Sequence, residues 1–144
     1  MKILIDTNLL IDYFSKRPLF FADARTILKL CMEEQIDGCI AAHSIMNVFY
    51  ILRKELTLEE RRIILLDLCK IVSVIGIDQT KLVAALENED FTDVEDCLQM
   101  ECAKEFAADY IVTRNIKDFQ HSVIPSILPR DFLEKIGKGA DTAL

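Results

Sequence analysis

Short apolar runs alternate with longer amphipathic segments from one end of this chain to the other, and few folds accommodate that rhythm. Ile3 to Ile5 is such a run, and it is followed at once by Asp6-Thr7-Asn8, residue types that favour turns and helix caps. It reads as a buried strand leading directly into a helix. After Pro18, the residues Phe20, Phe21, Ala24, Ile27, Leu28 and Cys31 recur at helical steps, and Gly38 marks the expected end of that helix. Cys39 to Ala42 reads as a second strand. Ser44 is placed to cap a helix running to about Lys54, and Thr57-x-x-Glu60 is a capping box for another reaching about Lys70. A third strand spans Ile71 to Ile77. A helix from about Thr80 to Asn88 precedes a second capping-box pattern, Thr92-x-x-Glu95, whose helix ends near Ala108. Tyr110 to Val112 is the fourth strand, a fifth lies around Ile127, and Pro129 opens a last helix. The expected fold is α/β, a three-layer sandwich with a mainly parallel central sheet of about five strands.

At 144 residues the chain is long enough for one domain, expected over residues 1–136, with a frayed tail at 137–144. The longest stretch free of charge, Gly38 to Leu52, contains His43, Ser44 and Asn47 and falls short of the ~20 apolar residues of a membrane span. Met1-Lys2-Ile3-Leu4-Ile5-Asp6 reaches a carboxylate too soon for a signal-peptide apolar core. Cys31, Cys39, Cys69, Cys97 and Cys102 form no Cys-x-x-Cys pair, so reduced thiols in the cytoplasm are expected. The 24 acidic residues outnumber the 17 basic ones, a net charge of −7. Nucleic-acid binders normally carry the opposite excess, because neutralised phosphates supply much of their affinity. Either this protein avoids nucleic acid or its carboxylates hold cations that bring phosphate in.

Ligands of parallel sheets bind beyond the carboxyl ends of the strands. The polar residues at those ends are Asp6, His43-Ser44, Asp78, and Thr113 to Asp118. Asp96 joins them from a helix, where positions 96, 100, 103 and 107 share a face and the last three are Met100, Ala103 and Ala107. Asp93 and Glu95 are accounted for by the helix dipole, and Asp90 and Asp93 are expected to be solvated. A carboxylate heading an apolar stripe instead needs a partner, a proton or a metal. For Asp6 alone, a helix-cap role and a ligand role are equally open.

With these residues in view, the chain resembles the PIN domain family. The resemblance rests on Asp6-Thr7-Asn8 after the first strand and on Asp93-Val94-Glu95-Asp96-Cys97-Leu98-Gln99. It extends through Ala108 to Phe119 and Leu128-Pro129-Arg130-Asp131-Phe132-Leu133, so it covers about Met1 to Ile136. It is closest in character to stand-alone bacterial proteins related to the toxins of VapBC-type toxin–antitoxin pairs. It implies a ribonuclease dependent on Mg2+ or Mn2+, with RNA as substrate, an antitoxin as a possible partner, and a homodimer or higher oligomer. Asp6 and Asp96 match the family's acids and would hold metal, with Asp118 assisting. Asn47 and Asn115 stand where the family usually has acids and would position water, and Thr7, Asn8 and Thr113 would orient the carboxylates. Hard divalent cations take oxygen ligands, and Mg2+ needs only one or two carboxylates alongside water and phosphate.

His43 and His121 are expected at the surface or in loops. The helix containing Ile45, Met46, Val48, Phe49, Tyr50, Ile51 and Leu52 is apolar almost all round, which points to burial on every side and hence to contact with a second subunit or partner. Two rival functions follow. The two asparagines favour a catalytically degenerate module that keeps the fold but only binds RNA or protein. A receiver-like signalling domain would need a phospho-accepting aspartate at the end of the third strand, where Asp78 is a poor candidate.

Overall fold

The computed structural model describes the backbone of residues 1–143 and the side chains of residues 1–137. In chain order the elements are β1 (Lys2–Ile5), α1 (Thr7–Phe14), α2 (Phe21–Met32), β2 (Asp37–Ala41), α3 (Ala42–Ile51), α4 (Leu58–Ile71), β3 (Ser73–Ile75), α5 (Gln79–Glu87), α6 (Val94–Phe106), β4 (Tyr110–Val112), β5 (Ser126–Ile127) and α7 (Pro129–Ala143). The five strands form one sheet in the order β3-β2-β1-β4-β5, and every neighbouring pair is parallel.

Alternation along each strand divides the core into two layers. Ile3 and Ile5 of β1, Ile40 of β2 and Val112 of β4 face a cluster shared with α1, α2, α3, α4 and Phe132 of α7. Leu4, Cys39, Ala41 and Ile111 face the opposite way, onto Ala85 of α5 and Cys97, Met100, Cys102 and Ala103 of α6. The result is the expected three-layer sandwich. β1 is central, and the chain leaves it toward β2 on one side and later returns to β4 on the other. The register pairs Ile5 with Val112, so the ends of β1 and β4 lie side by side at the point where strand order reverses.

Several local expectations change. Gly38 does not end a helix, because α2 stops at Met32 and Gly38 sits within β2. It is required there by close packing: a Cβ at Gly38 would lie 2.7 Å from the Cys31 sulfur on α2. Ser44 does not cap α3, which begins at Ala42; Ser44 is fully buried and its Oγ accepts the Thr7 hydroxyl at 2.7 Å. The Thr57-Glu60 capping box forms with both of its bonds, whereas α6 is capped by Asp93 rather than Thr92. Ala107 takes a left-handed conformation with φ 59° and closes α6, so it leaves the face that Met100 and Ala103 share. The third strand is shorter than expected, Ser73–Ile75. α3 is not covered on every side within this chain, since Met46 and Tyr50 are 61% and 62% exposed. Residues 138–144, on which most of the expected frayed tail falls, lie outside those whose side chains are described. Among the described residues no helix is long and apolar enough to cross a membrane.

Candidate active site

β1 delivers Asp6 to the switch point, and its carboxylate is 3% exposed. Although it occupies the position before α1, it makes no capping hydrogen bond to that helix. The carboxylate is engaged elsewhere. The Gln99 side-chain amide donates to Oδ1 at 2.9 Å, and the Thr113 hydroxyl, from the end of β4, donates to Oδ2 at 2.8 Å. Burial raises the Asp6 pKa, and these two bonds offset part of the rise. Neither donor carries a charge.

Around Asp6 opens a cleft of about 410 Å³, lined by Thr7, Asn8 and Ile11 of α1, by His43, Asn47, Tyr50 and Ile51 of α3, by Asp93, Glu95, Asp96 and Gln99 of the α6 end, and by Asp118. Five carboxylates and no lysine or arginine line it. Asp96 registers that concentration of charge: its pKa is pushed up to about 7 by burial first and then by the nearby charges of Asp93, Asp6 and Asp118, while a hydrogen bond from Gln99 partly opposes the rise.

Six of the residues expected from the sequence therefore meet in one place: Asp6, Thr7, Asn8, Asn47, Asp96 and Asp118. Thr113 is fully buried behind Asp6 and holds it. Asn115 is not among the lining residues; its backbone N–H donates to the Thr113 hydroxyl oxygen at 2.9 Å, which fixes the turn after β4.

Other groups were not singled out from the sequence. Glu95 and Asp93 face the cleft as well as serving the helix start, and the Asn47 side-chain amide donates to a Glu95 carboxylate oxygen at 3.3 Å. His43 is on α3 against the cleft, not in a loop, with Nε2 3.2 Å from the Glu95 carbonyl oxygen and Nδ1 buried without a partner. Burial holds its pKa down against the pull of Glu95, so it is neutral near pH 7. Gln99 is the most consequential omission. It is 2% exposed, one helical turn beyond Glu95, and its Oε1 has no hydrogen-bond partner. The available signal was spacing: position 99 lies one turn from both 95 and 96 on the same helix.

Asp78 is remote from this cleft. It caps α5, accepting the Lys81 N–H at 2.9 Å, beyond the edge strand β3. A receiver-like arrangement of acids at the third strand is absent among the described residues.

Among the described residues no three His, Cys, Asp or Glu side chains form a closed metal-binding group. The donor set nonetheless fits a hydrated divalent cation. Mg2+ keeps several waters and takes only one or two carboxylates, the lining supplies oxygen donors, and the buried acceptor of Gln99 is unfilled.

Comparison with known proteins bears on the family and the fold. The family model for the PIN domain matches residues 2–117. The fold is similar to that of VapBC2 from Rickettsia felis bound to a promoter DNA fragment, at 19% identity and a TM-score of 0.65, covering 89% of this chain and 98% of that one. A toxin–antitoxin complex from Klebsiella pneumoniae is similar at 26% identity and a TM-score of 0.64, covering 88% and 97%. FitAB bound to an IR36 DNA fragment is similar at 16% identity and a TM-score of 0.66, covering 88% and 94%. No curated protein matches the sequence. With the matched segment running from β1 through β4 to the turn that carries Asn115, the chain belongs to the PIN domain family.

Proposed function

We propose that the cleft is the active site of a divalent-metal-dependent endoribonuclease acting in the cytoplasm. The observation that carries this reading is the meeting of five carboxylates, without lysine or arginine, at the switch point of a parallel sheet. Such clustering is electrostatically costly in the free protein and becomes favourable when a cation enters. Mg2+ or Mn2+, when bound, supplies the positive charge that attracts the scissile phosphate and stabilises the charge developing at phosphorus.

Asp6 and Asp96 would hold the cation, with Asp118 as a third carboxylate lining the cleft. Thr113 and Gln99 keep Asp6 in one orientation, and Thr7 and Asn8 begin α1 directly beside it. Asn47 has an amide oxygen to orient water but cannot take a proton at neutral pH. Asn115 contributes through the backbone bond that shapes the turn, with Asp118 following on the 3-10 turn Ile116–Phe119. Neutral His43 adds a ring nitrogen without adding charge.

Similar structures captured as toxin–antitoxin complexes support a protein antitoxin as partner and a toxin role for this chain. The exposed apolar residues of α3 support a homodimer or higher oligomer. A second reading, a module that binds RNA without cutting it, is favoured by Asn47 and by the lack of a closed three-acid group among the described residues. Incubating a fluorophore–quencher RNA with purified protein and Mn2+, then with Asp6→Asn, separates the two. Cleavage by the wild type alone supports the nuclease; RNA retention with equal, background cleavage by both proteins supports the binding module.

A further inference from the structure

The side chain of Gln99 is 2% exposed, yet one of its two polar ends has no partner. A buried, unsatisfied amide oxygen is costly and persists where the surroundings require it. The requirement here is visible at the other end. Nε2 donates to Asp6 Oδ1 at 2.9 Å, across 93 positions of sequence, and joins α6 to the end of β1. The same side chain sits one turn after Asp96 on α6 and lies on the wall of the cleft between the two acids.

We infer that Gln99 is a positioning residue for the metal site, bridging the Asp6 carboxylate to α6 through its amide nitrogen and keeping its amide oxygen available to the hydration shell of a bound divalent cation. This rests on the metal-dependent reading above. An amide suits both tasks where no other side chain of that length does. Glutamate would place a further negative charge against Asp6, lysine would occupy the cation's place, and methionine would neither donate nor accept. The nitrogen is the better partner for the carboxylate, and this leaves the oxygen without a partner among the described residues. The ionised carboxylates of the cleft only accept, and the water carried by a bound cation supplies a donor for this oxygen.

The inference accounts for two observations together. Asp6 is deeply buried with neutral side-chain donors only, and the amide oxygen of the side chain that braces it has no partner of its own. One side chain thus holds Asp6 and lines the cleft together with Asp96. Groups that orient metal ligands in this way typically change affinity by about 10–100-fold when removed.

The test uses the full chain. Isothermal titration calorimetry with Mg2+ is expected to give Gln99→Met a dissociation constant at least about tenfold above that of the wild type, while Asp6→Asn binds more weakly still. In the wild type, the Gln99 side-chain NH2 resonances, identified by their loss in Gln99→Met, are expected to shift as Mg2+ saturates the site. This signature needs no variant to retain metal. Equal Mg2+ affinity in wild type and Gln99→Met, or unmoved Gln99 amide resonances at saturation, would overturn the inference and leave the metal reading intact. A wild type that takes up neither Mg2+ nor Mn2+ would overturn both.

Discussion

Two aspartates at opposite ends of the same two-turn helix make an instructive pair. Asp6, just before α1, and Asp12, within it, are 3% and 1% exposed. Asp12 is neutralised: Arg114 grips it with Nε–Oδ2 at 2.6 Å and Nη2–Oδ1 at 3.1 Å, and Arg17 approaches Oδ1 at 3.4 Å. The Arg114 guanidinium also stacks 3.9 Å from the Phe20 ring centroid. Asp6 has only the neutral donors Gln99 and Thr113. The chain places an arginine at position 114, next to Thr113, and directs it away from the carboxylate that lacks a cation. A buried acid with its own arginine is structural; Asp6, without one, is the acid that the proposed reading assigns to a cation.

The largest test removes the structural acid. Asp12→Ala removes a fully buried carboxylate and leaves the partly buried Arg114 without its partner, and is expected to cost about 2–4 kcal/mol in a urea unfolding curve, with no recovery on adding Mg2+. Asp6→Asn should behave in the opposite way. The metal-free protein should be as stable as the wild type or more so, because an uncompensated buried charge is gone, while metal-dependent RNA cleavage falls by about 100-fold or more. A loss of stability in Asp6→Asn as large as that in Asp12→Ala would erase the distinction.

A milder change sharpens it. Arg114→Lys keeps the charge but loses the two-pronged geometry and the ring stacking, so a cost of about 1.5–3 kcal/mol is expected by calorimetry. Mg2+ affinity should follow only weakly, through the turn that carries Thr113 and Asp118.

The smallest expected effect concerns pH. The Asp96 pKa stands at about 7 in the folded protein, against 3.8 for an unperturbed carboxyl. Between those values the folded state binds the extra proton, so this group's contribution to stability is present at low pH and is lost as pH rises toward 7. In EDTA the melting temperature should therefore fall between about pH 5 and about pH 7.5 more in the wild type than in Asp96→Asn. The difference is about 2–4 °C once solvent screening is allowed for. Saturating Mg2+ should flatten the wild-type slope, since the ionised form is the one that binds metal.

Much of the arrangement was legible in the chain. Strand-to-helix alternation determined the layered parallel sheet, and the acids after Ile5 and along the Asp93–Gln99 segment identified two walls of the cleft. Asp118 was also recognised, because it follows a strand end. What escaped was the use of groups with two plausible roles. Asp6 looked like a cap and caps nothing; Ser44 looked like a cap and is a buried acceptor; Asp93 and Glu95 looked like dipole-stabilising acids and also face the cleft. Short-range pattern cannot separate these cases, because a helix start and a ligand site favour the same residue types.

By itself, the order of residues determined that β1 and β4 end in polar groups and that α6 presents acids ahead of an apolar face, since side-chain period is a local property of strands and helices. Only the tertiary structure decided that Gln99 meets Asp6 across 93 positions, and that Arg114 goes to Asp12 while Thr113 goes to Asp6. Adjacent residues in an extended chain point in opposite directions, and which of two buried carboxylates each one reaches depends on how β4 is registered against β1. That register is what separates an acid paired with arginine from one held only by neutral donors.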